Sequence, residues 1–192
     1  MSTLQKAIRE RRTIRKFTNE NIETEEVLQL LEDAVYAPNH QLREPWSFIL
    51  IRDDAKPHFM NEIKNSYERL EVFRDYSQEV IDKKQQQLKQ FIETCPVHLI
   101  VMMKQDSSQK VWEEDFAATC ALIQNLQLLG WSNEMGMVWK TNPYIYDPAF
   151  SAAMNIPQNQ KIVGVIHIGK PAHIPKEKVR KSPRHVMEIR SE

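Results

Sequence analysis

From Val111 to Trp131 the chain reads VWEEDFAATCALIQNLQLLGW. Phe116, Ala117, Cys120, Ala121, Ile123, Leu126 and Leu129 recur at helical spacing and spread over much of the helix circumference. A surface helix needs only one apolar stripe, so a helix apolar on several sides is packed on several sides. This segment therefore predicts the central helix of the fold. Just beyond it, MGMVWK (Met135 to Lys140) is a short apolar run, and before it stand VHLIVMM (Val97 to Met103), introduced by Pro96, and the turn KQDSSQK. Both apolar runs predict strands.

Further out, WSFILI (Trp46 to Ile51) predicts a strand buried on both faces, and KIVGVIHIG (Lys161 to Gly169) a long strand closed by Gly-Lys-Pro. A helix is expected from Thr24 as N-cap, with Glu25 and Glu26 in its first turn, Val27, Leu30, Leu31, Ala34 and Val35 as its apolar face, and Pro38 as its stop. The stretch from Asp54 to Thr94 is polar and helical in rhythm, and its KKQQQLKQ run reads as a solvated face. DPAFSAAMN (Asp147 to Asn155) predicts a short helix. At the start, Ser2 or Thr3 can cap a helix that ends near Arg12. Mixed helices and strands without repeats or a Gly/Ser linker predict one α/β-type domain.

Composition narrows the function. The chain has 192 residues, 26 cations and 26 anions, so its net charge is zero, which argues against general affinity for nucleic acid or membranes. No apolar run resembles a secretory signal or a membrane span, and a cytoplasmic protein is expected. Cys95 and Cys120 lack CxxC spacing and are expected to be buried free thiols. With only four glycines there is no GxGxxG, P-loop or GxSxG, so Rossmann and Walker chemistry are not expected. His40, His58, His98, His167, His173 and His185 show no paired ligand spacing, and no metal is expected.

Against this neutral background, IRERRTIRKF (Ile8 to Phe17) gathers Arg9, Arg11, Arg12, Arg15 and Lys16 around a single Glu10. On a helical wheel Arg11 and Arg15 project with Leu4 and Ile8, toward the core. Cations there are costly unless paired, and with the Thr13 hydroxyl between them they suggest an anion site, such as one for a cofactor phosphate. The alternative is that the helix stops before Thr13 and the arginines snorkel outward. Two further segments, APNHQLREPWSF (Ala37 to Phe48) and GMVWKTN (Gly136 to Asn142), place polar groups and a tryptophan beside a strand.

In order, RERRTIRKF, a capped helix ending in APNH, PWSFILI, AATCALIQNLQLLGW leading to MGMVWK, and KIVGVIHIGKP resemble the nitroreductase family of FMN-dependent enzymes, especially its shorter-chain members. The resemblance runs from about Ile8 to about Gly169. It implies an α+β fold with a mixed, mainly antiparallel central sheet flanked by helices, in an intertwined homodimer. It further implies that Arg11, Arg12 and Thr13 hold the FMN phosphate and Arg15 the flavin ring, that Asn39 and His40 are loop contacts lent by the other subunit, and that Val138, Trp139, Lys140 and Thr141 lie along the ring. Lys178 and Arg180 resemble late phosphate-binding bases. Leu42 and Glu44 depart from the Asn and Gln many members carry before Pro-Trp, and His40 is expected to substitute.

Residues 1–169 would then form the FMN-binding domain and residues 170–192 an arm packed on the partner subunit. The implied activity is hydride transfer from NAD(P)H through FMN to a nitroaromatic, quinone or similar small-molecule acceptor, with no side chain named as an obligatory acid or base. A flavoprotein of the same fold with another redox reaction, dehalogenation or oxidation, is the alternative. A nucleic-acid-binding domain is much less favoured, because no stacking aromatics interleave the bases.

Overall fold

The computed structural model describes residues 1–191. Four strands, β1 (Trp46–Ile51), β2 (Val97–Lys104), β3 (Gly136–Lys140) and β4 (Gln160–Gly169), form one sheet in the order β1-β2-β4-β3. All three pairings are antiparallel. The two central strands are those with the longest apolar runs, because a strand covered on both faces cannot alternate with polar residues. WSFILI instead lies at an edge, and only Ile51 of it is fully buried. Its expected burial on both faces is thus not met.

Helices α1 (Thr3–Glu10), α2 (Thr24–Ala34), α3 (Lys56–Arg69), α4 (Gln78–Thr94), α5 (Gln109–Ser132) and α6 (Pro148–Ala153) flank the sheet. Alternate residues of β2 divide the core. Leu99, Val101 and Met103 meet α2 and α5 on one face. Ile100 and Met102 meet Phe59 and Ile63 of α3 and Phe150 of α6 on the other. α2 starts one residue earlier than expected, with Glu23 as N-cap, whose backbone N–H donates to the Glu26 carboxylate (2.8 Å).

α5 is the long central helix, but polar groups hold several of its innermost positions. Asp115, Thr119 and Gln127 are buried, while Phe116 and Cys120 are only partly covered and Ala117 is exposed. Cys95 is a buried free thiol as expected, whereas Cys120 is only half-buried. No helix of the described residues is long and apolar enough to cross a membrane.

A β-bulge lies between β2 and β4, where Val101 faces Gly164 and Met102 faces Ile162, leaving Val163 as the extra residue. The Trp139 indole lies over Gly164 and donates from Nε1 to the Val163 carbonyl (3.4 Å). A Cβ at Gly164 would run into that ring nitrogen. Gly164→Ala is therefore expected to cost about 2 kcal/mol by overpacking, lowering the midpoint of thermal unfolding by roughly 4–8 °C. An unchanged midpoint would mean that Trp139 is free to move.

Candidate functional site

The charged N-terminal stretch is not helical beyond Glu10. The Arg11 N–H still bonds the Ala7 carbonyl (2.9 Å), and from Arg11 the backbone is extended. Thr13 pairs in parallel with Met137 of β3, and the Ile14 N–H donates to the Met137 carbonyl (3.0 Å). Gly136 permits this close approach, since any Cβ there would collide with Ile14. Ile14 and Phe17 point inward onto Cys95 and Val138. The expected inward-facing helical phase is not met: Leu4 and Ile8 are 61% and 53% exposed, and Arg15 is exposed as well. What brings the cations together is an extended segment anchored by Ile14 and Phe17.

Arg11 is half-buried beside Arg12 and close enough to Arg180 to feel its charge. Burial, then the charges of Arg12 and Arg180, lower the pKa of its guanidinium. Its side-chain partner is neutral, the Gln127 amide oxygen of α5 at 3.1 Å. Arg12 donates to the carbonyls of Arg9 (2.6 Å) and Arg11 (2.9 Å) and, among the described residues, reaches one carboxylate, that of exposed Glu177, at 3.8 Å. Arg180 donates to the Lys178 carbonyl at 2.9 Å. Thr13 is half-buried within the same segment. Among the described residues no carboxylate comes within ion-pair reach of Arg11, Arg15, Lys140, Lys178 or Arg180. Several guanidiniums converging without a matching anion form a socket for one.

A second group lies further along. Arg15, Phe17, Gln87, Gln90, Phe91 and Thr94 line a cleft of about 580 Å³. Lys140, the last residue of β3, sets its ammonium 3.5 Å from the centroid of the Phe91 ring. Burial and, more weakly, the charge of Arg15 pull the Lys140 pKa down to about 8, although the Cys95 thiol acts in the opposite sense. Along the rest of this strand end, the Val138 side chain is buried in the core, so only its backbone can face a ligand, while Trp139 is half-buried and Thr141 exposed.

Asn39 and His40 lie on the separate loop after α2. Asn39 turns its amide inward: Nδ2 donates to the Ala37 carbonyl (3.2 Å), and Oδ1 accepts the Glu44 N–H (3.0 Å). His40 is exposed. The structure thus gathers Arg11, Arg12 and Arg180 at one place and Arg15 and Lys140 at another, with the loop pair apart from both.

Three partners escape a linear reading. Gln127 and Phe91 supply the contacts of Arg11 and Lys140 from helices distant in sequence. The third is a histidine pair: His98 and His167 face each other across β2 and β4, their Nδ1 atoms 2.7 Å apart. With Cys95 they form a cluster of donors able to hold a metal, and linear spacing had shown none. His98 donates from Nε2 to the Ile92 carbonyl (3.2 Å), so its Nδ1 accepts from His167. Burial holds both rings neutral, His98 down to about 3, and pushes the Cys95 thiol up to about 12. Hydrogen bonds account for both nitrogens of His98 and for the Cys95 thiol, which meets the Val97 and Ile168 carbonyls at 3.3 Å, but His167 Nε2 is buried without a partner among the described residues. The available signal was the matching position of histidine in VHLI and VIHI, one apolar residue in from each strand's outer end.

Three comparisons bear on this geometry. The sequence model of the Nitroreductase family matches residues 8–170. The Bacillus subtilis (strain 168) protein named "Putative NAD(P)H nitroreductase YfhC" is 36% identical over 181 residues, which cover 93% of this chain and 90% of the relative. A crystal structure of a nitroreductase-like family protein from Bacillus cereus superposes with a TM-score of 0.89 at 33% identity, covering 100% of this chain and 98% of the other. An oxidized iodotyrosine deiodinase bound to FMN and 3-iodo-L-tyrosine shares the fold with a TM-score of 0.74 at 19% identity, with 98% of each chain covered.

Proposed function

Because the chain belongs to the nitroreductase family, we propose that it is an FMN-dependent oxidoreductase that moves a hydride from NAD(P)H to a nitroaromatic, quinone or similar small acceptor in two half-reactions. The observation that carries this reading is the convergence of Arg11, Arg12 and Arg180 with, among the described residues, no balancing carboxylate beyond exposed Glu177. Arg11 is partly desolvated in the free protein, and a phosphate dianion would satisfy it. Arg11, Arg12, Thr13, Lys178 and Arg180 would hold the FMN phosphate. Arg15 would face the ring edge, with Val138, Trp139, Lys140 and Thr141 alongside.

When bound, FMN supplies the hydride-accepting and hydride-donating chemistry. The protein's own part is electrostatic. Arg15 and Lys140 concentrate positive charge beside the cleft, and that charge favours a reduced, negatively charged ring. Phe17 and Phe91 give the cleft apolar, aromatic edges against which a flat acceptor can pack. The segment from 170 to 191 leaves Ile174, Val179, Val186, Met187 and Ile189 exposed, each by more than half. Such a segment fits an arm laid on a second copy, which would bring that copy's Asn39 and His40 to the cofactor. Dehalogenation is the second reading, favoured by the fold shared with the deiodinase.

Purified protein loaded with FMN is expected to show flavin absorption that bleaches on anaerobic addition of NADH or NADPH and recovers with a nitroaromatic or quinone. A protein that takes up no FMN overturns the proposal. Bound FMN that neither nucleotide bleaches, in a protein that releases iodide from 3-iodotyrosine when chemically reduced, selects the dehalogenating reading.

A further inference from the structure

The loop after α2 has an unusual backbone. Gln41, Leu42 and Glu44 have φ of 53°, 52° and 43°. None is glycine, and the left-handed region is costly for residues with a Cβ. Glu44 also precedes Pro45, which further restricts its backbone. Leu42 is 80% exposed, so no packing of its side chain rewards the conformation. Something outside these residues must hold them. Arg43, between Leu42 and Glu44, is the one residue whose side chain leaves the loop for the core: Nε and Nη2 fork onto Asp115 of α5 at 3.0 and 2.9 Å, and Nη2 also reaches Asp106 at 3.2 Å. Asp115 is 1% exposed, an anchor that water does not loosen.

We propose that Arg43 is the positioning residue of this loop: through its fork on Asp115 it holds the left-handed run and so presents His40 to the flavin of the adjoining subunit. This rests on the FMN reading above. Asn39 clasps the loop internally and Arg43 ties it to α5, which leaves His40, Gln41, Leu42 and Glu44 exposed; of these, His40 is the one that offers a ring nitrogen to a cofactor. A lysine cannot reproduce the fork, because it offers a point charge rather than a planar pair of donors.

The test uses the full-length protein with FMN as the probe. Arg43→Lys is expected to raise the FMN Kd roughly tenfold, speed hydrogen exchange of the amides from residue 39 to 44 in the apo protein, and lower the unfolding midpoint by only about 2–4 °C, since the lysine still sets one charged donor on Asp115. Adding Leu42→Gly, which relieves the left-handed penalty, is expected to recover part of the lost affinity. Unchanged exchange in Arg43→Lys overturns the inference whether or not FMN binds. Faster exchange with unchanged Kd overturns it too, since the loop would then not serve the cofactor. So does a fall in midpoint and affinity together with no recovery from Leu42→Gly, the mark of a merely structural ion pair. Wild-type protein that takes up no FMN overturns the functional reading, and the exchange measurement still decides whether Arg43 holds the loop.

Discussion

Arg11→Ala is expected to raise the Kd for FMN about a hundredfold, equivalent to ~3 kcal/mol, with the apo protein as stable as the parent to within about 1 kcal/mol. The two effects separate because Arg11 does little for the empty fold. It is partly desolvated, repelled by Arg12 and Arg180, and bonded only to neutral Gln127. Its removal strands the Gln127 amide, a modest cost, and relieves the repulsion, a modest gain. With a phosphate present, the balance reverses and a charge-assisted fork is lost. Arg15→Ala, at an exposed position, is expected to weaken FMN about tenfold and to make the bound flavin harder to reduce. Flavin fluorescence titration and thermal unfolding of the same samples check both arms. If neither variant changes FMN affinity, the cationic cluster serves something else.

The fold was legible in the sequence where burial was two-sided. VHLIVMM and KIVGVIHIG carry their central position in unbroken apolar composition, and both became inner strands. WSFILI has similar composition yet lies at an edge, because composition does not say which strands will cover a neighbour. In the candidate site the residue types were legible and their geometry was not. Arg11 and Arg15 were singled out by a helical phase that stops at Glu10, and what places them is the pairing of Thr13 and Ile14 with Met137, over a hundred residues away. Contacts at that range leave no periodic trace. The same holds for Arg43 and Asp115. Three left-handed residues without a glycine among them could not be read from propensity at all, since propensity argues against them.

Lys140 carries the pH dependence. In the free protein its pKa lies near 8, against an ordinary value of 10.5, mainly through burial. The unfolded chain therefore binds more protons than the folded one between these values. The apo protein should gain stability as pH rises from about 8 to 9, because the penalty of the desolvated ammonium, fully present below pH 8, is then relieved; above pH 9 the Cys95 thiol, which burial keeps protonated in the folded chain while it ionises in the unfolded one, offsets the gain. Lys140→Met removes that penalty and is expected to stabilise the apo protein by about 1–3 kcal/mol at pH 7, with the rise above pH 8 absent. FMN binding should move oppositely. A hydrogen bond from the ammonium to an acceptor on the flavin ring favours the charged lysine and raises its pKa, so binding above pH 8 must first protonate it. The FMN Kd should be flat between pH 7 and 8, where the phosphate is already ionised, and then climb by up to about tenfold per pH unit. In Lys140→Met the Kd at pH 7 should be about tenfold higher and this climb absent. A parent protein whose FMN affinity does not change between pH 7 and 9.5 would place the ammonium away from the cofactor, and Lys140 would then be a buried charge held only by the Phe91 ring.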